Sequence, residues 1–90
     1  MYKIRLSSKF RKDFKLCKRR GLKLPLLEDV VDMLSEGKVL PHKYQDHPLT
    51  GNYAGYRECH ISPDWLLIYA KYDEELIMVL LRTGSHSDLF

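Results

Sequence analysis

The stretch "YRECHISPDWLLIYAKYDEELIMVLLRT", Tyr56 to Thr83, reads as three strands joined by two tight links. Tyr56–Ser62, Trp65–Tyr72 and Leu76–Thr83 are rich in β-branched, aromatic and other large apolar residues, which suit a pleated, partly buried surface. The breaks are "SPD", with Pro63 at a turn position it favours, and "DEE". Links this short admit only an antiparallel meander. Strand parity then sorts the first segment. Arg57, Cys59 and Ile61 share one face, and Tyr56, Glu58, His60 and Ser62 share the other. Cys59 and Ile61 make the better core face, so His60 is expected on the opposite side of the sheet.

Upstream, "YKIRL" (2–6) alternates and predicts a short strand. Ser7 or Ser8 can cap a helix whose apolar positions Phe10, Phe14 and Cys17 fall at i, i+4 and i+7, and Gly21 ends it. A second helix starts at Pro25, with Leu26, Leu27, Val30, Val31 and Leu34 as its buried stripe. Glu28 and Asp29 lie near its positive N-terminal end, and Gly37 closes it. Residues 38–55 lack a clear period and read as loop with room for one short strand. The last seven residues, "GSHSDLF", are polar and are expected to leave the sheet. The predicted fold class is α+β, a single domain over 1–90. Its order is β-α-α followed by an antiparallel β-meander, with a helical hairpin on one face and the other face open.

The chain has 90 residues, 44% of them hydrophobic and 30% charged, with few Gly or Pro, so disorder is not expected. No run is long enough to span a bilayer and the N-terminus has no uninterrupted apolar core, so the expected location is cytoplasmic with no membrane partner. Cys17 and Cys59 lie in interior-looking patterns and read as buried thiols. The net charge of +3 hides an asymmetry. Residues 1–24 hold ten of the fifteen basic residues and one acid, Asp13. Such a lobe suits a polyanion or an acidic partner, or is simply a solvated helix face.

A carboxylate can orient and charge an imidazole, which makes His60 and the turn residue Asp64 the first candidates. The other histidines are His42, His47 and His86. No tight ligand pair such as H-x-x-x-H is present, and Cys59 points away from His60, so no metal and no cofactor are expected. The thiols look buried and unactivated, which excludes cysteine-nucleophile chemistry. A metal-free scheme fits better. Cleaving RNA by attack of its own 2′-hydroxyl needs a base, an acid for the leaving 5′-oxygen, and positive charge near the phosphorane. Histidines supply the first two near neutral pH. Trp65 and Phe90 offer faces for stacking a base, although Trp65 also reads as core and Phe90 as cover for a sheet edge.

The run "HPLTGNYAGYRECHISPDWLLIY" (47–69) with "LLRTGSHSDLF" (80–90), after the opening "YKIRLSSKFRKDFK", closely resembles the YafQ-like branch of the RelE/ParE toxins of type II toxin–antitoxin systems. The resemblance covers essentially the whole chain. It implies a RelE-like fold and an mRNA interferase, an endoribonuclease that cuts mRNA in the ribosomal A site. It also implies a cognate DinJ/RelB-like antitoxin that wraps the toxin. Carried over by position, the functional groups fall on His47, His60, Asp64, Trp65, His86 and Phe90, and the match separates His47 from His42. Other RelE-type toxins use lysine, arginine and tyrosine where this chain has histidines and an aspartate, so an acid–base scheme is expected here. His60, held by Asp64, or His47 would take the 2′-OH proton. His86 would protonate the leaving oxygen or stabilise the phosphorane, and Arg82 would add charge at the phosphate. The basic lobe would grip ribosomal RNA or an acidic antitoxin segment. A ParE-like inhibitor of DNA gyrase and a catalytically silent RNA- or protein-binding module are the alternatives on this fold.

Overall fold

The computed structural model describes residues 1–90. Strand β1 (Lys3–Leu6) is followed by helices α1 (Ser8–Arg19) and α2 (Leu24–Ser35). After a 3-10 turn at His42–Tyr44 come a two-residue strand, β2 (His47–Pro48), and a second 3-10 turn at Gly51–Tyr53. The meander β3 (Arg57–Ser62), β4 (Trp65–Tyr72) and β5 (Ile77–Gly84) then runs into a short helix, α3 (His86–Leu89). The five strands form one sheet in the order β1-β5-β4-β3-β2. β1 pairs parallel with β5, and the other pairs are antiparallel.

Local chemistry accounts for the helix ends. Ser7 caps α1 by accepting from the Phe10 N–H at 2.9 Å, and its own hydroxyl donates to the Leu81 carbonyl at 2.7 Å, tying the cap to β5. Beyond the C-terminus, Gly21 takes φ +76°, and the Leu22 N–H bonds back to the Cys17 carbonyl, the turn that glycine makes without a Cβ penalty. Phe10 and Cys17 from α1, with Leu27, Val30 and Leu34 from α2, pack on Cys59, Ile61, Trp65, Leu67, Tyr69, Met78 and Leu80 of the sheet. Both helices therefore cover one face, as the parity of β3 required. Leu26, expected in the buried stripe of α2, is instead exposed.

The opposite face departs from expectation in one respect. It is not fully open: the tail leaves the strand ladder after Gly84 as expected, but it packs back on this face. α3 folds back so that Leu89 is buried with Leu66 and Ile68, flanked by Leu49, Tyr53, Tyr56 and Leu81. A four-residue helix cannot persist alone. It is held by a capping box, in which Ser85 accepts from the Asp88 N–H while the Asp88 carboxylate accepts from the Ser85 N–H. The cover stops short of β3's histidine, which leaves a cleft at that end of the sheet.

Candidate active site

Cross-strand partners lie side by side on one face. β2 places His47 opposite Glu58, while β4 places Leu66 opposite His60. Glu58 and His60, two residues apart on β3, therefore project together from the face away from the helices. α3 sets its first residue, His86, over the same corner. The His47 and His60 ring centroids are 6.5 Å apart and those of His60 and His86 are 5.7 Å apart, both edge to face. His42, by contrast, lies in the exposed 3-10 turn and outside this group.

Asp64 does not hold His60. Its Oδ1 sits 2.8 Å from His86 Nδ1 and also accepts the His86 backbone N–H at 3.0 Å. Those hydrogen bonds hold the Asp64 carboxyl below its usual range, the backbone bond contributing most. A carboxylate only accepts, so His86 Nδ1 carries the proton and its Nε2 is left free of Asp64, on a ring set beside His60. His47 is fixed in the same sense, its Nδ1 lying 2.7 Å from the Gln45 carbonyl. Gln45 itself adopts a left-handed backbone, φ 49°.

Glu58 was not among the expected site residues. Only 6% of its side chain is exposed, and its Oε1 lies 3.5 Å from His47 Nε2 and 3.6 Å from His60 Nε2. A buried carboxylate needs such partners. The signal was present in strand parity, which placed an acid beside His60.

Two expected substrate contacts lie elsewhere. Trp65 is 3% exposed, and its indole N–H donates to Thr83 Oγ1 at 2.9 Å. It is part of the helix-side core and has no face free to stack on a base. Arg82 is clamped by Asp13 of α1, through Nε at 2.7 Å and a second nitrogen at 3.1 Å, and Asp13 also accepts the Thr83 N–H. The one acid of the basic lobe thus anchors α1 to β5, and Arg82 is its counter-ion. Phe90 remains 63% exposed, resting edge to face on Tyr53 at 5.6 Å.

Beside His60 a cleft of ≈ 450 Å³ is lined by Leu26, Lys43, Tyr44, Gln45, Ser62 and Pro63. Donor atoms of Glu58, His60 and His86 all lie within 4.8 Å of one another, so the fold adds His86, from the tail, to the Glu58 and His60 pair of β3. One carboxylate and two imidazoles suit a borderline transition metal.

A family model described as "Bacterial toxin of type II toxin-antitoxin system, YafQ" matches residues 2–90. The chain belongs to the YafQ toxin family. The mRNA interferase toxin YafQ of Escherichia coli K12 is 39% identical over 88 residues, 97% of this chain and 94% of that protein. Among solved structures, a metal-bound toxin from Helicobacter pylori is 46% identical over the whole of both chains, with TM-score 0.93. The toxin in the E. coli DinJ–YafQ complex is 37% identical, with TM-score 0.90, covering 100% of this chain and 99% of that one. The RelE-like fold expected from the resemblance is the fold of this chain.

Proposed function

We propose that this toxin is an mRNA interferase that cleaves mRNA by attack of the 2′-hydroxyl, with His47, His60 and His86 sharing the proton and phosphate chemistry. The observation that carries this reading is the group of three imidazoles on one sheet face, two of them fixed through Nδ1 by acceptors. With Asp64 engaged by His86, His60 has lost the partner that made it the first choice of base. His47, its Nδ1 held by the Gln45 carbonyl and its Nε2 beside the Glu58 carboxylate, takes the 2′-OH proton. His86 gives a proton to the 5′-oxygen, because the adjacent Asp64 carboxylate offsets an imidazolium. His60, neighbour to both, binds the phosphate, and the buried Glu58 offsets the charge that gathers between His47 and His60. Phe90 stacks on a base of the message.

The activity of the E. coli relatives supports the same reading. Their complexes with DinJ support an antitoxin partner for this chain. The exposed bases of α1, Lys9, Arg11, Lys12, Lys15, Lys18 and Arg19, would contact ribosomal RNA phosphates or that antitoxin, in the cytoplasm and in the A site. No helix is long and apolar enough to cross a membrane.

The test is single-turnover cleavage of a defined mRNA on purified ribosomes. His47→Ala and His86→Ala should each lower the rate ~10²–10⁴-fold. Full activity in both variants would sink the scheme.

A second reading rests on the Glu58, His60 and His86 donor cluster and the metal-bound Helicobacter pylori relative. Those three side chains would hold the ion, and Asp64 would support His86 from behind, as carboxylates commonly do for metal-bound imidazole. A bound ion would supply a Lewis acid to the phosphate. Cleavage that survives EDTA keeps the metal-free scheme, and cleavage that EDTA abolishes and added metal restores replaces it.

A further inference from the structure

The tail that carries His86 and Phe90 is fastened at several points, and one of them lies outside the cleft. Asp64 holds His86, Leu89 packs on Leu66 and Ile68, and Tyr53 contacts both Phe90 and the Leu89 carbonyl, its hydroxyl 3.4 Å away. The remaining tether is Arg20, the residue that caps the C-terminus of α1. Its guanidinium grips the Asp88 carboxylate with both ends of the fork, at 2.6 Å and 3.2 Å, across 68 residues of sequence. Planar, two-point pairing of this kind fixes orientation as well as charge.

Asp88 is the hinge pin of this arrangement. Its Oδ2 takes the Arg20 bond and also the Ser85 N–H at 2.9 Å, while its own N–H donates to Ser85 Oγ at 3.2 Å. Opposite it, Gly84 leaves no room, since a Cβ there would stand 2.9 Å from the same Oδ2. Arg20 and the Ser85 N–H hold the Asp88 carboxyl far below the usual range, the guanidinium contributing most. The carboxylate therefore stays charged and in place throughout the range in which a histidine acid and base would work.

We propose that Arg20 and Asp88 are positioning residues for the cleavage reaction, setting the height and angle at which α3 presents His86 to His60. This rests on the reading of His86 as a catalytic residue given above. Arg20 touches no reacting group in that reading. It acts through Asp88, then Ser85, then His86. It also sits at the end of the most basic helix, where composition alone would count it as one more phosphate contact. Its geometry argues otherwise, because both ends of its guanidinium are already engaged by Asp88.

The experiment compares Arg20→Ala, Arg20→Lys, Asp88→Asn and His86→Ala in the ribosome-bound mRNA assay, titrating toxin to separate maximal rate from half-saturation. Arg20→Ala should lose ~10–100-fold in maximal rate, the scale of a reacting group displaced by about 1 Å, with half-saturation unchanged. Arg20→Lys keeps the charge without the fork and should recover only part of the rate. Asp88→Asn keeps an acceptor for Ser85 and should behave like Arg20→Ala. In each the His86 ring resonances should shift while those of His47 stay, with the thermal transition still cooperative. An unchanged maximal rate in Arg20→Ala, beside an inactive His86→Ala, overturns the positioning role and leaves the active site standing. Loss confined to weaker half-saturation also overturns it, making Arg20 a phosphate contact. Full activity in His86→Ala removes the site itself, and the positioning role with it.

Discussion

Thr83→Val is the sharpest probe of whether Trp65 serves the core or the substrate. Thr83 is 1% exposed, and its hydroxyl accepts the Trp65 indole N–H at 2.9 Å while donating to the Leu66 carbonyl at 2.8 Å. Valine has nearly the same shape, so the change removes polarity and leaves packing alone. An indole N–H left without an acceptor inside a core costs about 1–3 kcal/mol. In a domain of this size that corresponds to a fall of roughly 5–20 °C in Tm. Trp65→Phe removes the donor instead, so the double variant Trp65→Phe/Thr83→Val has no orphaned N–H. Its cost should fall short of the sum of the singles by about 1 kcal/mol or more. Thermal melts followed by circular dichroism give the stabilities, and single-turnover cleavage at a temperature where every variant is folded gives the activity. The reasoning requires lower stability with unchanged cleavage per folded molecule. A Trp65→Phe protein that melts like the parent and no longer cuts RNA would refute it, and would restore the ring to the substrate.

Gly84→Ala should reach the active site by a different route. The added methyl meets the Asp88 carboxylate at 2.9 Å, and that carboxylate is locked by Arg20 and Ser85, so strain of about 1–3 kcal/mol is expected. Hydrogen exchange should rise at the Leu89 and Phe90 amides before it rises in β4. Acid should release the same tail. Asp88's folded-state pKa is depressed by its partners, so its stabilisation is present above the unfolded value near 3.9 and is lost as pH falls through the lower folded value. Protection of the Leu89 amide against hydrogen exchange should therefore persist from neutral pH to about pH 4, the tail loosening only in stronger acid. Loosening centred well above that range would show that another group controls the tail.

How far the sequence could be read depended on the length of the physical signal. The period of two in "RECHI" was enough to bury Cys59 and Ile61 and to turn His60 to the other face, because one misplaced step would invert the strand. The Ser7 cap and the Gly21 stop were equally local. Glu58 was visible as a neighbour of His60, but its meaning needed His47 across from it, and a two-residue strand has no period to detect. Asp64 choosing His86 over His60 is a contact between a turn and a tail 22 residues away. Arg82 is harder still. Pairing skips a residue between Ile68 and Tyr69, setting Arg82 opposite Ile68 after Leu80 opposite Tyr69. Its partner Asp13 lies 69 residues back in a helix that composition marked only as basic. The tail itself misled because its polar residues proved to be the cap, the counter-ion and an imidazole set beside His60, while one leucine supplied the burial.

The parallel pairing of β1 with β5 also governs when the molecule exists. Lys3–Leu6 finds its partner only in Ile77–Leu80, so the first strand made waits for the last. Closing so long a loop is entropically slow, and topologies with such distant partners fold late relative to local hairpins. On a translating ribosome the helices and the first two strands of the meander emerge with that seam still unstitched. The corner bearing His86 follows β5 in the chain and is added after it. The sheet, and the corner that α3 completes beside His60, therefore cannot close until the chain has been made through its last strand and tail.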